Sequence, residues 1–484
     1  MSQGAISIVF ESTRQDRTCL SIAYVHERYG VNTLIILHCS EITSQNGSHS
    51  AKVAATQSWQ AARRPNPVPS GEHPSCETSP RERRSLARLV QIEAGGWGIM
   101  KALNDAFINP LLISRGAGPL ALGIYNSGAN LFGFGAGWFG PRLAAKTNSV
   151  RKTTIVCLIF GRLTFLALAL YLILTAQSSV PVLIALIMLW GVGEGLVLPL
   201  WSSFIAGMVG PGQRGKWLAM RATAATLSTV PFMAGLVVVF LFATREDALP
   251  VAYAVASAAG LISLVMVARL FRTFGEGPIP PARSFRALPD EPGARRFLSG
   301  VLAFWFGAGF VWPVLPAYIL KDLGAPTAYF AISQLIAAIV GVFVQRKWGK
   351  LGDERGARRV LFLTGIGASI VPALWGIIPY WWLGFAVELF AYVCWPGHML
   401  GLTLRSVELA RHEQDRSSLL GWTNLAQGAG ASISPLISSA VVIHVGTVPI
   451  LFFSAVLRFI GILIMAAPSR TAHDEATDSE SALS

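Results

Sequence analysis

In the stretch WGIMKALNDAFINP, the polar side chains Trp97, Lys101, Asp105 and Asn109 recur at every fourth position, with Asn104 beside them. Residues four apart share one face of an α-helix, so this spacing predicts a slowly winding polar stripe on an otherwise apolar segment. Two glutamates sit in similarly apolar surroundings, Glu194 in LWGVGEGLVLPLW and Glu388 in GFAVELFAYVCWPGHML. Each precedes a tryptophan by seven residues (Trp201 and Trp395), and Tyr392 lies one helical turn beyond Glu388. A carboxylate in an apolar setting can take up and release a proton as its surroundings change. Asp105, Glu194 and Glu388 are therefore the candidates for a proton pathway, while Lys101, Arg162 and Arg405 are cations able to neutralise them instead. Asn126 and Asn130, four apart, offer amide groups to a solute or to a neighbouring helix. Trp312, beside Pro313 and Pro316, adds an aromatic surface at a bendable point.

The elements that position these residues are set by hydropathy. Only 13% of the 484 residues are charged and 52% are hydrophobic, against about 25% charged in a soluble domain. The runs Leu163–Gly193, Ala222–Thr244 and Ser417–Leu457 contain no Asp, Glu, Lys or Arg, and each exceeds the roughly 20 residues needed to cross a bilayer as a helix. The reading is an all-α membrane protein with twelve spans, near 90–112, 120–141, 152–175, 180–208, 217–243, 250–271, 297–320, 327–347, 359–378, 380–404, 419–443 and 447–467. The net charge of +13 points to topology rather than nucleic acid, because the basic residues gather in alternate loops. Those loops hold Arg142 and Arg151, Arg214 and Lys216, Arg283 to Arg296, Lys350 to Arg359, and Arg411 and Arg416; the opposite loops hold only Arg115, Arg245 and Lys321. Both termini are thus expected in the cytoplasm.

Residues 1–88 are polar, end in the Pro-rich ARRPNPVPSGEHPSCETSPRERR, and read as a disordered extension or as sequence upstream of the true start. A six-span half over 89–272, a basic Pro-rich cytoplasmic loop over 273–296, a second half over 297–468 and a disordered tail over 469–484 follow. The halves echo each other at an offset of roughly 202–207: Pro110 matches Pro316, Pro119 matches Pro326, and Arg214 with Pro231 resembles Arg416 with Pro435. Five cysteines show no metal or disulfide framework, and no metal or cofactor motif is present.

The segment WGKLGDERGARRV resembles the loop signature of the major facilitator superfamily, Gly-x-Leu-small-Asp-x-x-Gly-x-basic-basic. Gly349, Gly352, Asp353, Gly356, Arg358 and Arg359 fall in register, Glu354 departs from the usual Arg, and Arg355 follows one position later. GWFGPRLAAKTNSVRKT is a worn copy in the first half, keeping Gly140 and Arg151–Lys152 but no Asp. On elementary grounds the glycines permit a tight turn, Asp353 can accept bonds from an uncapped helix start, and the arginines hold the loop at the membrane surface. The resemblance implies a cytoplasmic gating loop that latches the halves.

The resemblance also implies a secondary transporter, not an enzyme. It would move a small organic solute, amphipathic or aromatic, by alternating access with proton coupling, and work as a monomer in a bacterial inner membrane. The solute and proton pathway is expected among Lys101, Asn104, Asp105, Asn126, Asn130, Glu194, Trp201, Trp312, Glu388, Tyr392 and Trp395. The absence of a Walker sequence argues against ATP coupling, and the absence of HExxH argues against a zinc hydrolase. Span five lacks the Gly-Pro-Gly-Gly arrangement of the superfamily's drug/proton antiporters, which leaves export unsupported and direction open. The rival reading is a transporter-like membrane sensor or assembly factor without flux.

Overall fold

The computed structural model describes residues 6–9, 21–28, 31–38, 80–175, 177–208, 214–242, 245–275, 292–410 and 413–467. Residues 1–77 form one unit. In it, β1 (Ile6–Val9), β2 (Ser21–Arg28) and β3 (Val31–His38) pair antiparallel in the order β1-β2-β3, with Ile22 opposite Leu37 and Tyr24 opposite Ile35. These strands lie within the stretch 1–88 that the sequence reads as a disordered extension or as sequence upstream of the true start. Runs such as SIAYV and LIIL are too short to span a bilayer, yet their β-branched and aromatic residues suit a pleated ladder.

The second unit covers Thr78–Ser484 and is helical. Its long helices are α1 (Pro80–Ser114), α2 (Pro119–Thr147), α3 (Val150–Leu174), α4 (Val180–Met208), α5 (Arg214–Phe242), α6 (Arg245–Phe274), α7 (Pro292–Val311), α8 (Ala328–Arg355), α9 (Ala357–Ile377), α10 (Gly384–Glu408), α11 (Glu413–Val445) and α12 (Thr447–Met465). Ten stretches, in α3 through α12, are long and apolar enough to cross a membrane. α1 and α2 fall short because α1 carries Glu93, Lys101, Asn104, Asp105 and Asn109, and α2 is interrupted by asparagine and glycine. Large apolar side chains such as Phe242, Phe343 and Ile443 lie on the outside of the bundle, as a hydrocarbon solvent requires.

Neighbour relations in the first six helices recur in the last six. α1 packs on α5 and α6, α4 on α2 and α3, and α3 on α6; correspondingly α7 packs on α11 and α12, α10 on α8 and α9, and α9 on α12. The two sets meet through α2 against α11 and α5 against α8. Glycine makes the first contact close: a Cβ on Gly123 would lie 2.5 Å from Ser439 Oγ, and one on Gly428 would lie 2.8 Å from Phe134. α7 stops at Val311 because Pro313 and Pro316 remove backbone donors; a single helical turn, Leu315–Ala317, and a π-helical turn, Tyr318–Asp322, follow. Residues 276–291 of the expected central loop and the tail over 469–484 lie outside the described residues.

The signature segment is not an open loop. α8 runs to Arg355, and the chain turns at Gly356, whose φ of 79° is the left-handed value that favours glycine, before α9 starts at Ala357. Gly349 and Gly352 are therefore helical rather than turn-forming. Nor does Asp353 cap α9, since Glu408 on α10 accepts from the Ala357 N–H at 2.9 Å. Arg358 donates to the Ala466 carbonyl at 2.6 Å, and Lys350 and Glu354 form an exposed pair at 3.6 Å. The worn copy behaves alike: Asn148 takes φ 50° after α2, and Ser149 caps α3 by accepting from Lys152 N at 3.1 Å.

Candidate functional site

Close helix crossings create the first polar cluster. A Cβ on Gly193 would sit 2.8 Å from Gly161 Cα, so α3 and α4 touch at their glycines, and the next residue on each, Arg162 and Glu194, can meet. Arg162 Nη1 is hydrogen bonded to Glu194 Oε1, and its Nε donates to the Gly260 carbonyl on α6 at 3.2 Å. Trp97 Nε1 on α1 donates to the other Glu194 oxygen at 2.8 Å. One turn earlier on α1, Glu93 takes both donors of Arg221 on α5 at 3.0 Å. The Arg221 guanidinium also lies over the rings of Trp97, at 4.8 Å, and Trp201, at 5.7 Å. Two arginines and two glutamates thus neutralise each other across α1, α3, α4 and α5. Glu194 is held by a cation and an indole, and it does not line the cavity described next.

That second site lies where the two sets of helices face each other. It is a cavity of about 120 Å³. Asp105, Asn109 and Pro110 line it from α1; Tyr329, Phe330, Ser333 and Gln334 from α8; Glu388 and Tyr392 from α10; and Pro316 from the turns after α7. Pro110 and Pro316, matched as repeats in the sequence, both reach it. Lys101 Nζ pairs with Asp105 at 2.6 Å, each about half exposed. The Tyr392 hydroxyl lies 2.6 Å from Ser333 Oγ, and Glu388 lines the same cavity one helical turn before Tyr392. No cation pairs with Glu388 among the described residues. The site therefore carries two carboxylates and one paired ammonium, walled by Tyr329, Phe330 and Tyr392. On one side of it Phe107 on α1 packs between Phe240 on α5 and Phe330 on α8, at ring distances of 5.4 and 6.5 Å.

The structure thus brings together Lys101, Asp105, Glu388 and Tyr392 of the sequence-derived set. Asn126 joins them only indirectly, donating to Asn109 Oδ1 at 3.0 Å, while Asn130 donates to the Asn126 carbonyl at 2.6 Å. Asn104 is buried beside Tyr125. The tryptophans stand apart from the cavity lining: Trp201 packs on Phe204 and under Arg221, and Trp312 and Trp395 both pack against Trp305. Near Trp395, His398 is fully buried against Phe304, with neither ring nitrogen hydrogen bonded among the described residues. Arg458 on α12 is buried as well, donating to the carbonyls of Ala368 and Ala308 instead of reaching the membrane surface.

Sequence reasoning missed Ser333, Gln334 and Tyr329, although Ser-Gln inside the apolar AYFAISQLIAA is a visible signal. It also missed Glu93, which extends the four-residue stripe of α1 by one turn, and its partner Arg221.

A family model described as Major Facilitator Superfamily matches residues 94–406 and 297–482. Among curated proteins, the multidrug resistance protein MdtG of Dickeya zeae is 27% identical over 183 residues, 35% of this chain and 42% of that protein. MdtG of Proteus mirabilis is 29% identical over 175 residues, 33% of this chain and 41% of that protein. The chain thus spans about two fifths of the length of these relatives. Among solved structures, a bacterial homolog of the human lysosomal transporter Spinster superposes with TM-score 0.59 at 14% identity, covering 82% of this chain and 99% of that one. The xylose transporter XylE from E. coli gives 0.58 at 13% identity, with 79% and 96% covered. A peptide-bound POT family transporter gives 0.60 at 13%, with 80% and 95% covered. At these identities the likeness is one of fold.

Proposed function

The chain belongs to the Major Facilitator Superfamily, and from that membership we propose that it is a proton-coupled secondary transporter of small organic solutes working by alternating access. α1 and α2 complete twelve spans with the ten apolar helices, in two halves over 89–272 and 297–468 joined by the cytoplasmic segment 273–296. The termini and basic connections face the cytoplasm, the chain works as a monomer, and the membrane is a bacterial inner membrane. Residues 349–359 serve as the cytoplasmic latch.

The observation that carries this reading is the cavity between the halves, where Asp105 of one faces Glu388 and Tyr392 of the other. At about 120 Å³ it is smaller than the roughly 300 Å³ at which organic-ligand pockets begin, so binding requires the halves to move apart. With Asp105 neutralised by Lys101, the unpaired carboxylate of Glu388 and the aromatic walls favour a solute that is cationic and partly aromatic. The Phe107–Phe330 contact is the gate on the side away from the basic connections. Glu388 and Asp105 exchange protons as the cavity opens to one side and then the other.

The test is flux in proteoliposomes across a panel of organic cations, anions and neutral compounds, with and without an imposed pH gradient. Cations are expected to move with the gradient. Asp105→Asn is expected to abolish gradient-driven accumulation while leaving solute exchange, and Glu388→Gln to abolish accumulation and weaken binding of the cation. Unchanged gradient-driven flux in both variants would exclude them as the coupling groups, and saturable binding without flux of any compound would refute transport itself.

A further inference from the structure

We propose that a groove on the outer face of α1, α5 and α6 seats one anionic phospholipid of the surrounding bilayer. The inference needs only that these helices cross a membrane, and it stands apart from whatever the central cavity carries. The groove holds about 690 Å³. Its floor is built of residues without side chains: a Cβ on Gly95 would lie 2.5 Å from Ser228 Oγ, and one on Gly96 would lie 2.3 Å from the Ala259 carbonyl oxygen. Backbone contact there leaves a channel, whose walls are the outward-facing Ile92, Leu227 and Ile262.

Length and charge identify the occupant. From Arg88 to Ile99 the groove follows α1 for about 16 Å at 1.5 Å per residue, roughly half of a 30 Å hydrocarbon layer and so the depth of one leaflet. Arg88 closes the end nearer the start of α1. Arg84 stands one turn before it, and Arg269 on α6 lies two turns beyond Ile262 on the same helix face. All three are exposed and form no ion pair among the described residues. Among the described residues no acidic side chain lines the groove, and Glu93 on α1 is turned inward onto Arg221. An acyl chain along an apolar channel with three exposed guanidinium groups at its mouth is the complement of a phospholipid of net negative charge. A zwitterionic lipid carries its own cation to the same place and gains less.

The experiment is native mass spectrometry of the purified full-length chain with dioleoyl phosphatidylglycerol, dioleoyl phosphatidylcholine or inorganic phosphate. One phosphatidylglycerol per chain is expected to be retained in preference to phosphatidylcholine, and millimolar phosphate is not expected to displace it. Arg88→Gln and Arg269→Gln should each weaken retention roughly fivefold, whereas Arg88→Lys should preserve it. Leu227→Trp and Ile92→Trp, which fill the channel without changing charge, should weaken it independently, and Arg359→Gln, outside the groove, should not. The substituted positions are exposed, so the fold tolerates them. Equal retention of the two lipids, unchanged retention in both Arg88→Gln and Leu227→Trp, or displacement by phosphate overturns the proposal.

Discussion

Cutting the Arg162–Glu194 pair one side at a time should give two unequal losses, and cutting both sides should give almost none. Arg162 is only 2% exposed, and Glu194 is 20% exposed. Glu194→Met leaves a buried guanidinium whose remaining contact is the Gly260 carbonyl at 3.2 Å. Stranding a buried charge in this way costs about 3–5 kcal/mol. Arg162→Met fills the same aliphatic space and leaves Glu194 with the Trp97 donor at 2.8 Å and some solvent. The expected loss is about 1–3 kcal/mol, that of a polar group deprived of one partner. The double variant puts two apolar side chains of similar size in contact and should lie within about 1 kcal/mol of the parent. The coupling in the double-mutant cycle should therefore exceed about 2 kcal/mol. Unfolding midpoints in mixed detergent micelles, followed by tryptophan fluorescence, measure all four proteins. Single losses under about 0.5 kcal/mol, or a double loss equal to the sum of the singles, would refute the argument that this pair organises α3, α4 and α6. Flux adds a second readout: a folded double variant that transports normally marks Glu194 as structural, and one that folds but loses gradient-driven flux returns it to the proton pathway.

Three other outcomes are expected. Phe107→Cys with Phe330→Cys, bridged by a short bifunctional thiol reagent, should stop flux reversibly while each single variant treated alike keeps it; continued flux in the bridged protein would mean the contact is not a gate. His398→Leu should raise the unfolding free energy by about 1–3 kcal/mol, because it removes a buried polar ring that has no hydrogen-bond partner among the described residues, and a drop would show that the imidazole is paired. Glu408→Ala should cost about 0.5–2 kcal/mol by uncapping α9 at Ala357, with Glu408→Gln recovering most of the loss; equal losses in both would place the effect elsewhere.

Much of the architecture is legible in the chain because lipid leaves few choices. Long uncharged runs must become helices, since no water in the hydrocarbon can satisfy an open backbone. Of the four-residue stripe in α1, Asp105 and Asn109 line one cavity with Pro110 and Pro316, while Trp97 turns to Glu194. Less legible was the fate of similar-looking residues. Glu194 and Glu388 share an apolar setting and a tryptophan seven residues on, yet one is tied to Arg162 and the other faces the cavity. The difference lies in Gly161, Gly193 and Gly260, whose missing side chains let an arginine from another helix reach Glu194. No local pattern around either glutamate records that approach.

By itself, then, the sequence determined the class of solvent, the helical periodicity and the repeat, because each depends on composition and spacing along the chain. The turn at Gly356 was likewise marked by its residue type, even though the helix before it runs further than the pattern suggests. Tertiary structure alone decided which charges cancel and which stay available. It paired Glu93 with Arg221, 128 residues away, and Glu194 with Arg162, and it left Glu388 beside Tyr392 and Ser333 at the meeting of the halves. Ion pairing falls off over a few ångströms, so it is fixed by helix crossings and not by distance in sequence.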